Sequence, residues 1–164
     1  MKIVYDYPPN YDQITKVFKI ADNENVIFTY GDTLYVPRGE GTHLDKPLIK
    51  HEETHARQQK VMGVDAWWER FLEDNIFRMS QEIEAYRNQY AAMGDLPLQE
   101  RQAYVTHIAK DLSGEIYGNL MTFEEAVKVI CQDIKFKKRL FGRSSLAARK
   151  AKKAARQNRK KGRK

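Results

Sequence analysis

His51-Glu52-Glu53-Thr54-His55 constrains this chain more than any other stretch of it. The residues around it, from Leu48 to Lys60, read as a helix, and a separation of four puts both imidazoles on one face, one turn apart. The order is H-E-x-x-H, in which two imidazoles hold Zn2+ and the Glu works on a water beside it. A catalytic zinc takes three protein ligands and keeps one open position. The fold must therefore bring a third ligand to this helix from elsewhere.

Two carboxylates downstream compete for that place, Glu82 and Glu84 in Gln81-Glu82-Ile83-Glu84-Ala85-Tyr86-Arg87. Two residues apart on one helix, they point about 200° apart, so only one can face the metal. Glu82 lies beside Met79 and Tyr86, on the border of an apolar stripe. Glu84 falls with Ser80, Arg87 and Asn88 on a polar side. The placement favours Glu82.

The surrounding pattern is mainly helical, with a little sheet near the N-terminus. Lys2–Tyr5 reads as a short strand. Tyr11 to Ile20 reads as a short helix carrying Ile14, Val17 and Phe18, and Asp22 to Asn25 as a turn. Val26–Tyr30 and Thr33–Val36 are rich in β-branched and aromatic residues, and the Gly31-Asp32 link between them predicts a β-hairpin. Its second strand, Thr33–Val36, is expected to offer an open edge to a substrate peptide. Asp45 and Pro47 open the histidine helix, and Gly63 closes it after Met62. Val64–Leu72 should be a helix that buries Trp67 and Trp68.

The next predicted helix starts at Asp74-Asn75 and runs to about Met93, with Ile76, Met79, Ile83, Tyr86 and Tyr90 as its stripe. Gln99–Leu112 aligns Tyr104, Ile108 and Leu112. Thr122-Phe123-Glu124-Glu125 is a capping box, and the helix it opens is expected to run on into the C-terminal segment. The fold class expected is α+β: a small N-terminal hairpin or sheet packed on the H-E-x-x-H helix, followed by a helix bundle.

Charge divides the chain in two. Fifteen of its 29 Lys and Arg lie between residues 135 and 164, where there is no Asp or Glu. Residues 1–134 then hold 14 basic and all 22 acidic side chains, so an acidic body precedes a basic tail. The tail, helical or disordered, is expected to bind nucleic acid or another polyanion through phosphates, by Arg143, Arg149, Lys150, Lys152, Lys153, Arg156, Arg159, Lys160 and Lys161. No aromatic lies beyond Phe141, which argues against base stacking. The chain has no apolar run of the roughly 20 residues that cross a bilayer, and its first residues lack the apolar stretch of a signal peptide. Cys131 is the single cysteine, which rules out an internal disulfide or thiolate metal cluster. No membrane partner is expected, and the expected location is cytoplasmic.

H-E-E-T-H, followed 27 residues after His55 by E-x-x-A-Y, resembles the gluzincin class of zinc metallopeptidases. The combination of a hairpin, Trp67-Trp68 and Glu82–Arg87 is similar to that of small proteins encoded by bacteriophages and bacteria. The resemblance implies His51, His55 and Glu82 as zinc ligands and Glu52 as the general base in hydrolysis of a protein or peptide. It also implies a phage-encoded protein acting in the host cytoplasm or carried in the virion. Tyr86 stands where many members of the class have an Asp that orients a ligand histidine. For the oxyanion, His107, Tyr117 and Tyr86 are the candidate donors, and His107 is preferred because its helix follows the ligand helix. The alternative reading is a virion or nucleoprotein component, with the basic tail as its working part and the zinc site structural or inactive.

Overall fold

A computed structural model describes residues 1–18, 26–94 and 96–131, and the chain divides after Ile130 into two units, of which the first is described below. The expectations for the basic tail, including its helical or disordered state and its nucleic-acid residues from Arg143 to Lys161, lie outside the described residues. So does the expected turn at residues 22–25. The elements in chain order are β1 (Lys2–Val4), α1 (Tyr11–Val17), β2 (Phe28–Tyr30), β3 (Thr33–Tyr35), α2 (Lys46–Met62), α3 (Val64–Glu73), α4 (Asn75–Ala92), α5 (Leu98–Leu112), a 3-10 turn (Glu115–Tyr117) and α6 (Phe123–Ile130). The architecture is α+β and mainly helical, with a three-stranded sheet near the N-terminus, as the sequence pattern predicts. Among the described residues no helix is long and apolar enough to cross a membrane.

The sheet order is β1-β3-β2. Gly31, at φ +65°, opens the two-residue turn that sets Tyr30 opposite Thr33. β1 then pairs in parallel with β3, Ile3 opposite Leu34. This corrects the expectation of an open edge at Thr33–Val36: β3 is the central strand, because the N-terminal segment occupies its second side. The edge strand beside the helices is β2. Its Thr29 carbonyl is already occupied, accepting from Gln59 Nε2 at 2.8 Å and Trp68 Nε1 at 3.2 Å.

The helix ends follow their local chemistry. Asp45 Oδ1 accepts the Leu48 N–H at 2.8 Å and opens α2, with Pro47 in the first turn, where its missing N–H costs nothing. Gly63, at φ +93°, ends α2, and α3 starts at once. Asp74 Oδ1 accepts both the Ile76 and Phe77 N–H at 2.9 Å to open α4. In the capping box before α6, Glu125 N–H bonds the Thr122 hydroxyl at 3.2 Å while Glu125 Oε2 accepts the Thr122 N–H at 2.9 Å. α1 is shorter than expected: it stops at Val17 because Phe18 turns extended. α6 spans Phe123–Ile130, and its expected run into the C-terminal segment lies outside the described residues.

Trp67, Trp68, Phe71 and Leu72 of α3 bury against Ile14 and Phe28, with the Trp67 and Phe71 rings stacked at 4.5 Å. Burial of each such side chain contributes about 1.5–3 kcal/mol. Both Trp residues are thus core anchors. Farther along, Val105, Ile108, Ala109 and Leu112 of α5 are buried, as are Ala126, Val127 and Ile130 of α6. Cys131 is buried as well, as expected of a small hydrophobe.

The interface between α2 and α4 departs from the predicted stripe. Ile76, expected on the inward face of α4, is 74% exposed. Met79 and Tyr90 of that stripe are buried, and beside them α4 buries Arg78, Glu82, Ala85 and Gln89, at spacings of four, three and four. Opposite it, α2 buries His51, Glu52, Thr54, His55, Gln58 and Gln59. Two helices therefore pack through polar side chains, an arrangement tolerated only where those groups find partners.

Candidate metal centre

The α2–α4 interface brings His51, His55 and Glu82 together, with one donor atom from each lying within 4.8 Å of the others. His51 and His55 project from successive turns of α2, and Glu82 comes from the facing side of α4. His51 Nε2 lies 3.0 Å from His55 Nε2. The Glu82 oxygens lie 3.5 Å from His51 Nε2 and 3.8 Å from His55 Nε2. Glu84 stays outside. It is half exposed and pairs with Arg57 at 2.7 Å. Glu53 pairs with Lys50 on the surface, and His43 is exposed.

The hydrogen bonds behind the imidazoles determine where their protons sit. Gln58 Nε2 donates to the Gln81 carbonyl at 3.1 Å and to Glu84 Oε2 at 3.0 Å. Both are pure acceptors, so the amide nitrogen must face them and Gln58 Oε1 must face His55 Nδ1, 2.9 Å away. That ring nitrogen therefore carries the hydrogen. Gln89 stands to His51 as Gln58 does to His55: its Oε1 lies 3.0 Å from His51 Nδ1, and its Nε2 meets the Tyr104 hydroxyl, which both donates and accepts. With each Nδ1 directed to its Gln, both Nε2 atoms face each other and the Glu82 carboxyl, and two imidazoles with one carboxyl group are a donor set suited to zinc.

The electrostatics point the same way. Burial lowers both imidazoles, His51 well below the ordinary value and His55 to about 4. Neither is protonated at neutral pH, so their contacts with Glu82 are not ion pairs. Burial pushes the Glu82 carboxyl up to about 8, helped by the nearby Glu52 charge and opposed by Arg78 and a hydrogen bond from Tyr117. Glu52 points into the same region without joining the donor cluster. Burial pushes its carboxyl up to about 7, while the Thr29 hydroxyl, donating to Oε2 at 2.7 Å, pulls it back. A carboxyl that titrates near neutrality suits a general base.

Tyr86 and Tyr117 complete the wall. The Tyr86 ring packs edge-on against His51 with centroids 4.5 Å apart, and the Tyr117 hydroxyl acts on both Tyr86 and Glu82. Burial, then the charge of Glu82, raises both phenols, so they stay protonated. On the other side His55 faces Trp67 with centroids 5.5 Å apart. His107, the preferred oxyanion donor in the sequence, does not reach this place. It sits on the outer face of α5 with a side chain 79% exposed, 3.5 Å from Asp111. The same reading missed Gln58 and Gln89. Gln58 lies one turn after His55, and Gln89 two turns after Glu82, so helical spacing from the ligands was the available signal. Tyr86 packs on the His51 ring, and Gln89 bonds the Nδ1 of that ring.

No family model, curated protein or solved structure matches this chain.

Proposed function

We propose that the protein is a zinc-dependent metallopeptidase, with His51, His55 and Glu82 holding the metal and Glu52 acting as general base. The observation that carries this reading is the pair of imidazole Nε2 atoms, 3.0 Å apart and flanked by the Glu82 carboxyl, with a second buried carboxyl alongside. Zinc, when bound there, polarises a substrate carbonyl and lets water lose a proton near neutral pH. Glu52 accepts the proton of the attacking water on the oxygen that Thr29 leaves free, then passes it to the leaving amine. Tyr86 supplies the oxyanion donor. Its phenol stays protonated beside His51 and can donate to the tetrahedral oxygen. Trp67 and Phe71 shield the site on the α3 side.

The deciding experiment compares wild type with Glu52→Gln. Both are loaded with zinc, assayed for metal by elemental analysis and incubated with a mixed peptide library read by mass spectrometry. Wild type should cleave, and the variant should retain zinc and lose about 100-fold or more of the rate. Equal cleavage by both would remove Glu52 from its role.

The density of Lys and Arg in residues 135–164 favours a second reading, a nucleoprotein component whose zinc site is structural. Zinc retention without cleavage by either form, together with salt-sensitive DNA binding, would favour it over the enzyme.

A further inference from the structure

A cavity of 240 Å3 adjoins the candidate metal centre, and the two share a wall. Tyr86 and Tyr117 line the cavity on one side and meet His51 and Glu82 on the other. The rest of the lining is mostly apolar, including Ile14, Phe28, Trp68 and Phe71. One lining residue does not belong in an apolar pocket. Arg78 is 3% exposed, and its guanidinium lies between the rings of Phe18 and Phe71, with Cζ 4.7 Å and 5.7 Å from their centroids. Its recorded acceptors are the Leu72 carbonyl at 3.5 Å, a long contact, and Asn75 Oδ1. Its Nε has no partner among the described residues. A buried cation with a spare donor is costly unless something anionic completes it.

Arg78 stands one helical turn before Glu82 on the same face of α4. The simplest substrate for this pairing has a single residue beyond the scissile bond, with its terminal carboxylate directed to the guanidinium. The cavity is large enough for that residue's side chain, since a dry cavity of about 150 Å3 already holds a benzene. Asp111 also lines the cavity, but it is half exposed and lies beside His107. Arg78 is the buried cation of this lining; Glu82 and Asp74 act on it through their charge, and its Nε is the donor left for a ligand carboxylate.

Resting on the metallopeptidase reading, we propose that Arg78 and this cavity form a subsite for the free carboxylate and apolar side chain of a C-terminal residue. The enzyme is then a carboxypeptidase. Water adds across the last peptide bond, and the products are the shortened peptide and one free aromatic or large aliphatic amino acid. The guanidinium suits this role because its planar fork binds a carboxylate through two parallel N–H bonds.

The test separates the subsite from the chemistry. Full-length, zinc-loaded protein is titrated calorimetrically with phenylpropionate and with its neutral amide, a probe pair that needs no turnover. Wild type should bind the acid at least about tenfold more tightly than the amide. Arg78→Met should lose that preference at unchanged zinc content, and Arg78→Lys, which keeps the charge without the fork, should keep part of it. Should Arg78→Met fail to fold by circular dichroism, a nitrogen-labelled wild-type sample decides, with Arg78→Lys identifying the Arg78 Nε–H resonance. That resonance should move with the acid and not with the amide. Equal binding of acid and amide, an acid preference that survives in Arg78→Met, or an unmoved resonance would overturn the subsite. An acid preference without hydrolysis of any peptide would sink the peptidase reading and leave the anion pocket standing. Hydrolysis that ignores amidation of the C-terminus would do the reverse.

Discussion

Gln58 and His55, three residues apart on α2, form a matched pair in which the amide oxygen accepts the imidazole Nδ1 hydrogen at 2.9 Å. The pair matters because Gln58 has no freedom to turn over, since its nitrogen is held by the Gln81 carbonyl and Glu84. Gln89 serves His51 from the opposite helix. Replacing either Gln by Leu should leave the ligands in place and free the rings to take the wrong tautomer. Zinc affinity should fall about 10–100-fold for each variant. Competition against a chromogenic chelator measures this, and wild-type affinity in both variants would show that these bonds do not orient the donors.

Glu82 and Glu84 offer a sharper contrast. Glu82→Ala should lose zinc, because the remaining two imidazoles cannot satisfy the ion. Glu84→Ala should retain it, because that carboxylate faces Arg57 on the surface. Elemental analysis after gel filtration distinguishes them, and the opposite order would mean that the ligand comes from the other face of α4.

Acid should weaken the start of α4 in a definite direction. The Phe77 N–H above all, with Arg70 and the Ile76 N–H, holds the Asp74 carboxyl below its ordinary value of 3.8. The stabilisation is complete above that ordinary value and is lost as pH falls through the lower folded-state value. Asp74→Asn keeps an oxygen acceptor at the cap but cannot titrate there. Melting curves taken down a pH series should show a smaller loss of Tm below about pH 4 for the variant than for wild type. Parallel losses would show that this carboxylate is not part of the acid response.

Removal of residues 143–164 should leave zinc content unchanged, because all three expected ligands lie in the first unit. It should also abolish salt-sensitive retention on DNA, since 11 of the chain's 29 Lys and Arg go with it. Filter binding across a salt series reports the slope, and an unchanged slope would dismiss the segment as the nucleic-acid contact.

Much of this fold was legible in the chain because short-range chemistry wrote it there. Asp45, Pro47, Gly63, Asp74 and the Thr122–Glu125 box each satisfy or end a helix through neighbours within a few residues. The donor cluster was legible because His51 and His55 need only helical periodicity, and because Glu82 and Glu84 could be told apart by face. Three things were not. Apolar periodicity found Met79 and Tyr90 on the buried side of α4 but misplaced Ile76, which points out, and did not mark the Arg78 and Gln89 buried there. The middle position of β3 depends on Lys2–Val4 returning to pair with it, a contact across some thirty residues that no local pattern announces. The exclusion of His107 depends on how α5 is turned against its neighbours, which its spacing from Glu82 does not specify.

Thr29 joins more of the molecule than its place in a three-residue strand suggests. Its carbonyl fastens Gln59 and Trp68 while its hydroxyl steadies Glu52, so the sheet is riveted to two helices through one residue. Ile116, 54% exposed in the 3-10 turn, also lines the cavity, so on the proposed subsite it is the place to re-engineer selectivity without loosening that rivet.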